Sequence, residues 1–396
     1  MVPEVRRRYL AEFAPDRYQA LLRWLEEEGG SPVDFRISET PVFLAEELAR
    51  ELEAAAWEIL RQVTSDEHRR RAAAALPAGS SVPGETDHPA FLQVDFALAR
   101  GASGDVLPQL IELQGFPSLY GFQWLLARGY RRHLYVPAGW STYYSGGDDA
   151  TYVEELRRTI VGDRDPAEVV LLEIFPEKQK TRIDFAVTER LLGIPTVCAT
   201  RVQKRGRRLF YRSAGSGGGE VEIRRIYNRV IFDELERKGI RLDHLFREEI
   251  DAEWVGHPNW YFRISKYSLP LVHGRYAPPC HFLADLDAPP ADLERYVLKP
   301  IFSFAGLGVE VEVTPEKLAA VRDRANYILQ RKVDYAAVVA TPDEPAKVEV
   351  RMMFVWDEAP RLVNSLVRMS KGKMMGVDFN KDKTWIGASV AFHPPL

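Results

Sequence analysis

The sequence predicts a mixed α/β protein with an α+β end, and three observations predict it. Apolar residues recur at helical spacing from about Arg17 to Ala75. Between about Ala150 and Ile250, apolar runs alternate with an amphipathic helix, the order of a parallel sheet with right-handed crossovers. After Tyr296 the chain is rich in strand-like runs joined by short turns. A length of 396 residues leaves room for about two or three domains, each with its own core.

Composition narrows the function classes. Hydrophobic residues make up 46% and charged residues 28%, as in ordinary globular proteins. A formal net charge of -4 gives no global field toward nucleic acid or an anionic membrane. The segment MVPEVRRRYLAEF is basic without an apolar core, so it does not read as a secretory signal. No eighteen apolar residues run together, so no membrane span is expected and the reading is cytoplasmic. Cys198 and Cys280 form no disulfide framework or metal quartet and read as plain thiols. The 8 histidines show no metal spacing, and no Ser-His-Asp order stands out.

Taken in order, YQALLRWLEEEGG is a helix stopped by glycines, and PVFLAEELARELEAAAWEILRQV carries a second. The loop LPAGSSVPGETDHP follows. FLQVDFAL and LPQLIELQ then read as two strands of a hairpin. EVVLLEIF is a strand covered on both faces, KTRIDFAVTERLLG a helix ending on Gly193, and IPTVCAT the next strand. RRLFYR and VEIRRIYNRV flank SAGSGGGE, which reads as a turn because no Gly-Lys-Ser/Thr follows it. Farther on, YVLKPIFSFAGLGVEV is expected to form a hairpin, KLAAVRDRANY a helix, and YILQRKVDYAAVV, KVEVRMMFVWD and RLVNSLVRMS strands.

Some polar residues stand where burial makes them expensive. Asp95 and Glu112 sit at the centres of adjacent strands, and a buried carboxylate must be paired or metal-bound. Glu112 and Gln114 are two apart and share a sheet face. Mg²⁺ takes oxygen ligands, usually one or two carboxylates plus phosphate oxygens, so Asp95, Glu112 and Gln114 are its candidate ligands. The alternative is the polar face of an amphipathic hairpin. Lys299 precedes the small-residue loop SFAGLG, whose backbone N–H groups at Ser303, Gly306 and Gly308 can approach phosphate closely; an outward lysine on a hairpin is the alternative. Arg351 and Arg368 lie inside apolar strands, where a guanidinium must find an anion: a transferring phosphate or a structural carboxylate. Lys371 and Lys373, around a glycine in the tail, read as surface residues. Asn228 with Arg229, and Lys178 through Arg182, stand at strand ends where open sheets bind substrates or simply carry solvated charges.

Three segments together resemble the ATP-grasp superfamily, nearest its glutathionylspermidine-synthase-like branch. YVLKPIFSFAGLGVEV resembles the strand, lysine and glycine loop over the phosphates, and HPNWYFRISKYSLP a segment supplying a second phosphate-side lysine, Lys266. FLQVDFAL with PQLIELQGFPSLYGFQ resembles the metal-site pair, written in the relatives as Arg-x-Asp and Glu-x-Asn. Here Gln93 replaces the arginine and Gln114 the asparagine. The resemblance implies an ATP-grasp fold in which two lobes close on ATP: a helical region over residues 1–85, metal-site strands over 86–150, a parallel-sheet substrate region over 151–256 and an antiparallel α+β lid lobe over 257–396. It implies ATP and Mg²⁺ as cofactors, Gln330 at the adenine edge, and small-molecule carboxylate and amine substrates joined as an amide through an acylphosphate. The loss of arginine at Gln93 keeps a non-catalytic nucleotide-binding protein open, and a phosphotransferase on the same fold is the other alternative.

Overall fold

The structure is a computed structural model describing residues 1–101, 104–213, 218–303, 307–372, 375, 380 and 382–396. Helices α1 (Pro3–Glu12) and α2 (Pro15–Gly29) open the chain, and Gly30 closes α2 in the left-handed region at φ 70°. The short strand β1 (Val42–Phe43) precedes α3 (Glu46–Val63), which buries one stripe from Leu48 to Val63. Next, α4 (Asp66–Ala72) is N-capped by the Ser65 hydroxyl. The expected hairpin follows as β2 (Phe91–Arg100) and β3 (Val106–Gln114), then α5 (Tyr120–His133) and α6 (Asp149–Ile160).

The middle of the chain is the expected α/β unit. It runs β4 (Val169–Glu173), α7 (Arg182–Leu192) and β5 (Thr196–Cys198), then an antiparallel trio of β6 (Gln203–Arg205), β7 (Arg208–Arg212) and β8 (Glu220–Ile223). β9 (Arg225–Asn228) and β10 (Glu253–Val255) complete a parallel sheet of order β10-β9-β4-β5. The glycine-rich turn reads as a hairpin connection, since β7 and β8 pair across it; residues 214–217 lie outside the described residues.

The remainder holds β11 (Cys280–Phe282), β12 (Tyr296–Pro300), β13 (Tyr327–Arg331), β14 (Ala337–Val339), β15 (Ala346–Trp356), β16 (Pro360–Ser370), β17 (Gly387–Ser389) and β18 (Ala391–Phe392). Two expectations change here. The hairpin return after β12 is no strand: Glu310 alone pairs with Leu298, and β12 takes β13 as its partner instead. The helix over KLAAVRDRANY is cut to Pro315–Ala319, because Leu318 alone of its residues is buried and an unpacked helix this short is not stable by itself.

β15 pairs with β16 on one side and β2 on the other, so β3, β2, β15, β16 and β17 make one continuous antiparallel sheet with β14 at the end of β15. Period-two alternation divides its faces. Val94, Phe96, Val350, Met352 and Phe354 pack on the α3 stripe of Leu52, Ala55, Ala56 and Ile59. Asp95, Glu112, Glu349, Arg351 and Arg368 point the other way, toward the small antiparallel sheet β11-β13-β12. Among the described residues no helix is long and apolar enough to cross a membrane.

Candidate phosphate and cation site

Register brings the site together. Asp95 stands opposite Glu112 on β3 and opposite Arg351 on β15, and Arg368 on β16 stands opposite Glu349. Five residues from four strands thus share one face as cross-strand neighbours. Their bonds form a row. Arg351 donates from Nε to Asp95 Oδ1 at 2.6 Å and from Nη2 to Oδ2 at 2.7 Å, a two-point grip. Arg368 Nη2 donates to Asp95 Oδ2 at 2.7 Å and lies 3.1 Å from Glu349 Oε2. The Tyr335 hydroxyl donates to Glu349 Oε1 at 2.6 Å.

A β-bulge sets the second half of the site. Between Asp95 and Phe96 the register with β3 slips by one residue, leaving Ile111 extra. The bulge turns two carbonyls out of the ladder. Ile111 accepts from Lys299 Nζ at 3.0 Å, and Leu110 accepts from the Gln330 amide at 3.1 Å. Lys299 also donates to Gln330 Oε1 at 2.7 Å. Lys266 forms an ion pair with Glu112 at 3.1 Å and donates to the Ser303 carbonyl. Four cations and three carboxylates therefore interlock between the two sheets.

Electrostatics follow from burial and this pairing. Burial pushes the Glu112 carboxyl up, but Lys266, Arg368, Arg351 and Lys299 together pull harder and hold it below the usual carboxylate range. Burial likewise pushes Glu349 up, with Arg368 opposing. Lys299 is lowered by burial, and Glu112 offsets part of that. Arg368 loses to burial but is raised overall by Glu349, Asp95 and Glu112, so it stays charged.

The expected residues do not all keep their expected surroundings. Gln330, expected at an adenine edge, lies on β13, the central strand of its sheet, so ladders on both sides use its backbone. Its amide links Lys299 to β3 instead. Gln93 donates to the Ser118 carbonyl at 2.9 Å, holding the turn after Gln114 rather than supplying a cation. Gly308 adopts φ 72°, and a Cβ there would lie 2.8 Å from Pro300 Cγ, so the loop needs glycine at that point. Gly306 and Lys373 lie outside the described residues. Lys371 pairs with Asp343. Arg229 is buried and donates to the Pro117 carbonyl, and Arg182 pairs with Asp34 at 2.8 Å, so both do structural duty. Cys198 and Cys280 are free thiols.

Two residues escaped the sequence reading. Glu349 had a signal, since it sits two before Arg351 on the same strand face. Tyr335 had none; only the fold brings it to Glu349.

The donor chemistry fits a divalent cation in part. Glu112 and Gln114 line a small cavity of about 20 Å³, room for little more than a water or a bare ion, together with Lys266, Ser303, Phe116, Tyr261 and Phe302. A magnesium ion that keeps most of its waters needs only one or two such oxygens plus phosphate. Both oxygens of Asp95 are instead taken by guanidinium groups. Among the described residues no three His, Cys, Asp or Glu side chains converge as a cage.

No family model and no curated protein matches the sequence. A solved structure does match: a glutathione synthetase-like effector from Globodera pallida in its apo form, with TM-score 0.58 and 10% identity. The superposition covers 96% of this chain and 96% of that one. At that identity the likeness carries architecture alone: a mixed α/β fold like that of a glutathione synthetase-like protein, with parallel and antiparallel sheets as expected.

Proposed function

We propose that this chain is an ATP- and Mg²⁺-dependent carboxylate–amine ligase that forms an amide through an acylphosphate. One observation carries the reading: Lys266, Lys299, Arg351 and Arg368 converge on one face of the main sheet, each held by a carboxylate or amide from another strand. Such preset cations suit a polyphosphate whose charge shifts during transfer, chemistry that needs positioning and electrostatics more than acid–base groups. In this reading Lys266 and Lys299 bind the phosphates with the loop from Ser303 to Gly308. Glu112 and Gln114 hold Mg²⁺, and Asp95 serves the cation at one remove by fixing both arginines. When bound, the ion would neutralise phosphate charge. A cleft of about 1080 Å³ shares Tyr261 and Phe302 with the smaller cavity and offers space for the acid and the amine.

ADP release tests this directly. With ATP, Mg²⁺ and panels of acids and amines, the wild-type protein should form ADP only when both co-substrates are present, with an amide product by mass. A second reading, a nucleotide-binding protein without turnover, is favoured by Gln93, which supplies no cation. It predicts that ATP with Mg²⁺ raises the melting temperature while no combination releases ADP. Phosphorylated product without amide would point to a phosphotransferase.

A further inference from the structure

Arg351 and Arg368 are equivalent in sequence and unequal in the structure. Arg351 is held by Asp95 through both Nε and Nη2, and its side chain is 8% exposed. Arg368 reaches both of its carboxylates through one nitrogen, Nη2, and its side chain is 38% exposed. Neither carboxylate engages its Nε or Nη1, so Arg368 is the arginine with an edge left for an incoming anion. An arginine on a single one-point contact can swing about its side-chain torsions, whereas carboxylates on both sides of Nη2 fix it. Asp95 supplies one of them and is shared with Arg351. Glu349 supplies the other and is oriented by the Tyr335 hydroxyl at 2.6 Å.

We propose that Glu349, oriented by Tyr335, is a positioning residue that fixes Arg368 with its open guanidinium edge toward a bound polyphosphate. The inference rests on the nucleotide reading above and adds residues that reading does not contain. It also makes a prediction of sign. Glu349 is an anion beside the cations of the site, so by charge alone its removal should tighten polyphosphate binding. Positioning demands the opposite.

Calorimetry with a non-hydrolysable ATP analogue and Mg²⁺ separates the two. Expected are weakening of about tenfold for Arg368→Met, about fivefold for Glu349→Gln and about twofold for Tyr335→Phe. The double variant Glu349→Gln/Arg368→Met should bind no more weakly than Arg368→Met, since Glu349 acts only through Arg368. General damage to the fold would weaken binding in both backgrounds. Tighter binding by Glu349→Gln, or additive losses in the double variant, overturns the proposal. If the wild-type protein binds no analogue, the nucleotide reading fails. An Arg368 side chain unmoved in a crystal structure of Glu349→Gln defeats the positioning role whatever the ligand.

Discussion

Asp95 shows how one buried carboxylate holds two guanidinium groups at once. It is buried, with guanidinium groups on both oxygens. Removing one partner of a buried pair leaves an uncompensated charge, which costs far more than the pair contributes net. Asp95→Asn should therefore lower unfolding free energy by about 2–3 kcal/mol in urea titration, Arg351 being the more buried partner. A change below about 0.5 kcal/mol would mean that the arginines find other anions. Glu173 is the second telling residue, buried at the end of β4, where burial pushes its carboxyl up to about 8. The ordinary value is 4.5, so between the two the folded protein keeps a proton the unfolded chain has lost. Stability should accordingly fall as pH rises from about 4.5 to about 8, by at most about 5 kcal/mol from this group. Glu173→Gln should flatten that part of a melting-temperature profile against pH, and an unchanged slope would assign it to other groups.

At the scale of elements, the bulge at Ile111 and the glycine at 308 are deliberate irregularities. An unbulged β3 would keep the Ile111 and Leu110 carbonyls in the ladder, leaving Lys299 and Gln330 without those acceptors. Gly308→Ala places a side chain at φ 72° and against Pro300, so about 1–2 kcal/mol of stability should be lost. Thermal melts check this, and an unchanged melting temperature would show that the loop relaxes freely. The pattern of α3 was legible because one-sided burial imposes a helical period, and β2, β15 and β16 because burial on nearly every residue leaves apolar runs bounded by turns. The return strand after β12 was not. Val309, Glu310 and Val311 alternate like a strand, yet β12 is satisfied by β13 across five residue pairs.

For the whole molecule, the candidate site lies where the main sheet meets the smaller β11-β13-β12 sheet, so a ligand bridging both should stabilise the fold. By mass action, Mg²⁺ with ATP at about a hundred times its dissociation constant adds about 2.7 kcal/mol. A rise in melting temperature should appear in the wild-type protein and shrink in Lys299→Met, whose ATP affinity should drop about tenfold. Equal shifts in both proteins would remove Lys299 from the phosphate site.

The sequence by itself determined the parallel α/β unit, the amphipathic α3, the strand pair carrying Asp95 and Glu112, and the residue types a polyphosphate would need. These are local consequences of burial period and of charge placed among apolar residues. Partnership was decided only in three dimensions. Whether Arg351 meets a phosphate or Asp95, whether Gln330 faces a ligand or Lys299, and whether Tyr335 reaches Glu349 depend on strand order and register. Neither is written in any one segment, because a sheet assembles from stretches some 250 residues apart and each buried charge takes whichever opposite charge the register sets beside it.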